Sequence, residues 1–257
     1  IGNVEILLPL QRYNFFVKTM KVAIIGYGKM GHAVEAVLAA RGHETALVVD
    51  ADNACDICAE KMKGIDVAIE FTTPDTAFDN ITRAMRAGVP VVSGTTAWLD
   101  RFDEAAKVCR ECDSALFYSS NYSVGMNIFF KVNAMLARMM NGYPQYDVTI
   151  EEVHHTAKKD TPSGTAVTLA EGVLAGIDRK SRWVSHTTTV PEELEVIGIR
   201  RSVVPGTHTV TWESPVDFIR IEHTAKGRES LALGAVLAAE FLAGKKGVFG
   251  MDDMMNF

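Results

Sequence analysis

The chain is predicted to be α/β, with a doubly wound parallel sheet followed by a second, α+β domain carrying a mixed sheet. Three observations predict this. Short apolar runs alternate with helix-length segments over the first 120 residues, which is the pattern of βαβ units. A glycine turn, Gly26-Tyr27-Gly28-Lys29-Met30-Gly31, separates the first run from the first helix. After Asn121 strands dominate and helices become segregated.

The elements follow in order. Lys21-Val22-Ala23-Ile24-Ile25 is apolar and rich in β-branched residues, as a strand covered on both faces should be. Met30, Val34, Val37 and Leu38 then recur at helical spacing, and Gly42 supplies the stop. Glu44 to Val49 is the second strand, and a short helix is expected around Cys55 to Lys61. Strand Val67-Phe71, a helix over Thr76-Ala87, strand Val89-Val92, a helix over Leu99-Cys112 and strand Leu116-Tyr118 complete the series. Val124 to Met140 reads as one long helix ended by Gly142-Tyr143-Pro144. Strands are then expected at Asp147-Val153, Leu194-Ile199, His208-Glu213 and Val216-Glu222, with one helix over Thr165-Ala175. Val148-Ile150 and Ile219-Ile221 alternate as in a sheet with one wet face. Arg228 to Ala243 is a final apolar helix with Gly244 as its cap.

Bulk properties exclude several classes. The 257 residues are 47% hydrophobic and 23% charged with net charge −6, and no long basic run offers an electrostatic footprint for nucleic acid. No apolar stretch reaches the roughly 20 residues of a membrane span. Nothing at the start reads as a secretory signal, so a cytoplasmic protein is expected. Residues 1–19 precede Met20-Lys21, where the first strand begins, and read as a non-native or disordered extension.

Cys55-x2-Cys58 and Cys109-x2-Cys112 are separated by 50 residues, far beyond the usual zinc-ribbon spacing. The two predicted helices that carry them are expected on opposite faces of the sheet, so the four sulfurs cannot share an ion. No third ligand stands at characteristic spacing from His154-His155 either, and no metal is expected.

The glycine turn matches G-x-G-x-x-G between a strand and a helix. The first glycine permits the turn, the second lets backbone approach a pyrophosphate, and the third lets helix pack on strand, making the domain Rossmann-like. Gly26, Tyr27, Gly28, Lys29, Met30 and Gly31 are therefore candidate cofactor residues, with helix N–H groups free for phosphate. Asp50 ends the second strand 24 residues after Gly26, where an acid grips the ribose 2′-hydroxyl. A carboxylate there repels a 2′-phosphate, so NADH is expected in preference to NADPH. Phe71-Thr72 and Gly94-Thr95-Thr96 follow the third and fourth strands, at the carboxyl ends where ligands bind open α/β sheets.

Glu152 to Thr165 packs two histidines, two lysines and a Ser-Gly-Thr helix start into fourteen residues. Ser163-Gly164-Thr165 can present N–H groups to a carboxylate, and Lys158 adds charge attraction. Histidine titrates near neutral pH and can hand over a proton. Adjacent strand residues point to opposite faces, so His154 and His155 can share one ligand only where the strand has ended.

The motif His154-His155-x-x-Lys158-x-Asp160-x-Pro162-Ser163-Gly164-Thr165 resembles the signature of the dihydrodipicolinate reductase family. The resemblance runs over nearly the whole chain from Met20. It includes the glycine fingerprint, Phe71-Thr72, Gly94-Thr95-Thr96, Asn121-x-Ser123-x-Gly125-Met126-Asn127, Gly206-x-His208-Thr209, and His223 with Arg228. It implies NAD(P)H-dependent reduction of a cyclic unsaturated imine dicarboxylate to tetrahydrodipicolinate, in the diaminopimelate–lysine branch. By the same resemblance His154 donates the proton with Lys158 assisting, and His155, Lys158, Ser163, Gly164 and Thr165 bind the substrate. Ser120, Asn121, Tyr122 and Arg228 are implied at the cofactor. Residues 20–120 with 224–257 would form the dinucleotide-binding domain, and 121–223 the substrate-binding and oligomerisation domain of a homotetramer.

The chain departs from the family pattern in places. Its glycine loop is one residue shorter than in many members, Ala97 stands where glycine is usual, and Asp50 is followed by alanine rather than arginine. The segment before Gly206 is abbreviated. Two other readings fit parts of the chain. An amino-acid dehydrogenase acting on a smaller acid would leave the Lys158–Thr165 cradle underused. A sensor of NADH would need a partner module, and none is found in the sequence.

Overall fold

The computed structural model describes residues 18–257. The expectation for residues 1–19 thus falls almost wholly outside the described residues. The described residues form two compact units: residues 18–123 with Arg228–Phe257, and Val124–Gly227.

The first unit is built on a six-stranded, all-parallel sheet in the order β11-β5-β4-β3-β1-β2. Its strands are β1 (Lys21–Ile25), β2 (Glu44–Val49), β3 (Val67–Glu70), β4 (Val91–Ser93), β5 (Ala115–Tyr118) and β11 (Gly247–Phe249). The helices are α1 (Lys29–Arg41), α2 (Pro74–Arg86), α3 (Phe102–Glu111), α6 (Glu229–Leu242) and α7 (Met251–Met255). One buried cluster joins α1, α6 and the sheet through Val34, Leu38, Ile24, Phe117, Ala235 and Leu242. A second joins α2 and α3 to the sheet through Ile25, Ile81, Met85, Val108 and Leu116. Helices therefore cover both faces, which is why these strands read as continuous apolar runs. Strand order reverses between β1 and β3, the topological switch point where such sheets bind ligands.

Three expectations need correction. The helix around Cys55 to Lys61 is instead a 3-10 segment, Ala51–Asp56. Asp50 and Asn53 start it early as a capping box: Asp50 Oδ1 accepts from Ala51 N, and Asp50 N donates to Asn53 Oδ1 at 2.7 Å. The cysteine pairs do not lie on opposite faces, since Ile57 and Cys109 share one buried cluster. They lie instead at opposite ends of one face, after β2 and before β5, with three strands between. The third correction is that β11 and α7 were not anticipated. β11 is three residues long, follows Lys245-Lys246, and pairs with β5. Its strand character comes from that pairing rather than from pattern.

The second unit holds a five-stranded mixed sheet in the order β10-β9-β6-β8-β7. Its strands are β6 (Asp147–His154), β7 (Arg182–Val184), β8 (Glu193–Arg200), β9 (Thr207–Glu213) and β10 (Phe218–Thr224). β6 runs parallel to β8 and antiparallel to β9. Helices α4 (Val124–Met140) and α5 (Gly164–Leu174) bury Phe129, Ala137, Ala166 and Leu169 against Val148, Ile150, Val210 and Trp212. Along β6, Val148, Ile150, Glu152 and His154 are buried while Asp147, Thr149 and Glu151 are exposed. The period of two thus carries an apolar core face into a polar end. No helix of the described residues is long and apolar enough to cross a membrane.

Candidate active site

In the first unit a cleft of about 300 Å³ opens at the switch point, lined by Gly26, Tyr27, Gly28, Asp50, Phe71 and Thr72 among others. The glycine turn fits close approach by a phosphate. A Cβ on Gly26 would lie 2.0 Å from the Phe71 carbonyl oxygen, and one on Gly31 2.3 Å from that of Gly26. Beside Gly28 nothing lies within 4 Å, so the middle glycine fronts open space at the start of α1. Tyr27 turns back over that first turn, its hydroxyl donating to Glu35 Oε2 at 2.5 Å and its ring 4.0 Å from His32. Asp50 stands exposed at the cleft's rim, beyond the last residue of β2.

The loops after β3 and β4 are tied by a residue to which sequence reasoning assigned no function. Glu70 is fully buried. Its carboxylate accepts from Thr72 N at 2.9 Å, Thr72 Oγ1 at 2.5 Å, Thr95 Oγ1 at 2.6 Å and Ser93 Oγ at 2.7 Å. Four donors offset the desolvation of a buried carboxylate and lock the two loops together. The available signal was an acid ending an apolar strand, Val67-Ala68-Ile69-Glu70.

This network engages two of the predicted cofactor side chains. Thr95 is buried, and its hydroxyl is spent on Glu70 and on Thr72 N. Tyr122 is also buried, donating to Ser93 O at 2.7 Å, and burial pushes its hydroxyl far above the ordinary tyrosine range. Both support the loops from beneath. Lys29, Ser120 and Arg228 are exposed, Asn121 accepts from Ser123 N through its side chain, and Thr96 is exposed. Met30 packs against the core cluster of α1 and α6. Lys29, Met30, Gly31, Gly94, Thr96, Ser120, Asn121 and Arg228 do not line the cleft.

In the second unit the polar end of β6 meets the start of α5. β6 ends at His154, so His155 lies past the strand, in a turn closed by Lys158 N to His155 O at 3.1 Å. The condition for the two histidines to serve one ligand is thereby met. Glu152, wholly buried, bonds His154 Nδ1 through Oε2. Its Oε1 accepts from Arg200 Nη2 at 2.8 Å and Ser163 N at 3.3 Å. Ser163 is buried and caps α5, its Oγ accepting from Ala166 N at 3.2 Å and lying 3.2 Å from His208 Nε2. With that hydroxyl engaged, the first-turn N–H groups of Gly164 and Thr165 are left without an intrahelical acceptor. Nothing lies within 4 Å of a Cβ placed on Gly164. Lys158 pairs with Asp160 at 2.8 Å, and Asp160 is exposed.

The charges are ordered by this packing. Burial alone would raise the Glu152 carboxyl, but Arg200 and His154 outweigh it and hold it below the usual range. Burial lowers His154, with Glu152 opposing and Lys158 and Arg200 adding to the fall. His208, against His154 at 5.1 Å between ring centroids, is pushed down to about 4 by burial. Sequence reasoning missed Glu152 and Arg200 as parts of the site. Glu152 was legible as the i−2 neighbour of His154 on one strand face. Arg200 comes from β8, and no local spacing announces it.

Comparison with known proteins agrees across both units. Residues 20–122 match the family model described as dihydrodipicolinate reductase, N-terminus, and residues 125–255 that described as dihydrodipicolinate reductase, C-terminus. The chain is 45% identical over 239 residues to a 4-hydroxy-tetrahydrodipicolinate reductase of Christiangramia forsetii, covering 92% of this chain and 98% of that protein. A protein of the same name from Archaeoglobus fulgidus is 36% identical over 203 residues, covering 74% of this chain and 76% of its own. Among solved structures, a dipicolinate-bound dihydrodipicolinate reductase from Paenisporosarcina sp. TG-14 shares the fold. Its TM-score is 0.68 at 18% identity, covering 92% of this chain and 99% of that one.

Proposed function

This chain belongs to the dihydrodipicolinate reductase family, and on that premise we propose that His154 is its proton donor and the start of α5 its dicarboxylate cradle. The enzyme is a pyridine-nucleotide-dependent oxidoreductase. It reduces 4-hydroxy-tetrahydrodipicolinate, which loses water to give dihydrodipicolinate, to tetrahydrodipicolinate in diaminopimelate and lysine biosynthesis.

The observation that carries the site assignment is that Glu152 bonds both His154, at the end of β6, and Ser163 N, at the start of α5, with the Lys158 charge acting on His154. One carboxylate of the substrate takes the helix start. Lys158 leaves Asp160 for substrate charge, and His155 contributes from beyond the strand. A bound nicotinamide would supply hydride to the alkene carbon farther from the imine in the C=C–C=N system. The electrons shift to an enamine, and His154 protonates the carbon next to the imine carbon, restoring C=N. A dianionic substrate offsets the burial that lowers His154 and favours its charged, donating form.

The first unit is assigned the dinucleotide, with pyrophosphate over Gly28 and the adenosine ribose at Asp50. NADH is preferred because the Asp50 carboxylate would face a 2′-phosphate. The second unit is assigned the substrate. Its β10 edge, where Phe218 and Ile219 are exposed, is assigned to assembly as a homotetramer, and the reaction to the cytoplasm. The test follows nicotinamide absorbance after adding freshly made condensation product of pyruvate and aspartate semialdehyde, with NADH and NADPH in parallel. Rapid oxidation, faster with NADH, is expected. Folded protein that binds NADH yet oxidises neither cofactor would overturn the assignment.

A further inference from the structure

We propose that Glu152 is the positioning residue of the proton donor: it holds His154 by Nδ1, so that the transferred proton leaves from Nε2. This rests on His154 being the donor, as assigned above.

Glu152 and His154 are i and i+2 on β6 and share its buried face. Glu152 has no exposed surface, and both its oxygens are committed. Oε2 bonds His154 Nδ1, while Oε1 takes Arg200 Nη2 and Ser163 N. An ionised carboxylate only accepts, so Nδ1 must carry the hydrogen. Among the described residues no hydrogen bond engages His154 Nε2. That nitrogen lies beside Gly206, where a Cβ would stand 2.9 Å away. Glycine at that position, with φ +158, leaves the ring edge clear.

Arg200 makes the arrangement a unit. Besides Glu152, its guanidinium donates to Lys158 O at 3.3 Å, Asp160 O at 2.5 Å and Thr161 Oγ1 at 2.6 Å. The loop that carries Lys158 and the carboxylate that carries His154 are thus fixed to one side chain of β8. Gly198 on the same strand leaves room, since a Cβ there would meet Glu152 Oε1 at 2.9 Å and Thr161 Cγ2 at 2.7 Å. The charged and titratable groups around the ring are Glu152 on its own strand, Arg200 on β8, and Lys158 with Asp160 on the loop. His208 on β9 completes them, itself paired across strands with His223 on β10. Of these only Glu152 can accept the Nδ1 hydrogen at the observed contact. When Nε2–H protonates the enamine carbon, the histidine is left neutral with its hydrogen on Nδ1. The carboxylate has stabilised the imidazolium beforehand and fixed the tautomer afterwards, the role that an acid plays beside a catalytic histidine elsewhere.

The test uses the full chain. Glu152→Gln keeps the shape, removes the charge and can donate to Nδ1. It should lower kcat by about 10²–10⁴, change KM for the dicarboxylate less than threefold, and leave NADH affinity unchanged. The limb of the kcat–pH profile that reports loss of the donor proton should move to lower pH, and Glu152→Asp should recover part of the rate. Wild-type kcat in folded Glu152→Gln, or a loss without movement of the limb, would overturn the proposal. A second measurement needs no variant. Nitrogen-15 shifts of His154 in the wild-type enzyme above its titration should report hydrogen on Nδ1, and hydrogen on Nε2 would overturn it. Full activity in His154→Gln would instead remove the donor assignment itself, whereas an inactive His154→Gln beside a wild-type-like Glu152→Gln removes only this inference.

Discussion

The Phe71 ring occupies the space that a side chain on Gly94 would need: a Cβ there would fall 2.0 Å from Phe71 Cε1. Phe71 follows β3 and Gly94 follows β4, so the contact sets how closely two neighbouring loops approach at the cofactor end of the sheet. Gly94→Ala should displace ring or loop, cost about 1–3 kcal/mol, and raise KM for the nicotinamide cofactor. Urea unfolding and cofactor titration check this, and an unchanged midpoint with an unchanged KM would count against it.

His154 and Lys158 should separate kinetically. His154→Gln removes the donor but little binding, so kcat should fall by about 10²–10⁴ with KM nearly constant. Lys158→Ala removes a cation that acts on both bound substrate and transition state, so KM should rise while kcat falls. Steady-state kinetics on both variants decide. An unchanged KM in Lys158→Ala would argue against its contact with a carboxylate.

His208 ties stability to pH. Its folded value is about 4, against 6.5 as the ordinary value, because burial disfavours the charged ring. Between these values the unfolded chain binds the proton and the folded chain does not, so stability falls as pH drops through that window. The loss is on the order of 3 kcal/mol, complete only below the folded value. His154 and His223 shift in the same direction and add to the slope. His208→Gln should flatten the fall in urea midpoint between pH 7 and pH 5. A slope equal to the wild type would show that His208 does not carry it.

Ala97 adopts φ 61 in the turn after Thr96, where an L side chain is strained. It is exposed, so its methyl group contributes little packing. Ala97→Gly should relieve the strain and raise stability by about 1 kcal/mol, less the added entropy of glycine in the unfolded chain. A lowered Tm would contradict this. The strain also gives a physical reason for the glycine that the family usually carries there.

Much of the molecule was legible before any coordinates. Patterns that repeat locally survive folding unchanged. The short apolar runs became β1 to β5, the 3.6-residue spacing of Val34, Val37 and Leu38 became the buried side of α1, and Gly42 ended that helix in the left-handed region at φ 81. The glycine fingerprint and the segment from His154 to Thr165 carried their chemistry in consecutive residues, so a short stretch of chain was enough to suggest both sites. The three-residue strands β7 and β11 were not legible, because they owe their conformation to a neighbouring strand.

By itself, the sequence determined the alternation of elements, the glycine turn, and which stretch ends in a histidine pair beside a helix start. Only the tertiary structure decided which polar residues serve as frame. Glu70 gathers donors from two loops, Tyr122 and Thr95 turn inward to support those loops, and Arg200 crosses from β8 to join Glu152 to the Lys158 loop. These partners lie 23 to 48 residues apart along the chain wherever they bridge elements. A buried polar atom must be matched by whatever donor packing brings within about 3 Å, and that match is a property of distance in space, which spacing along the chain does not encode.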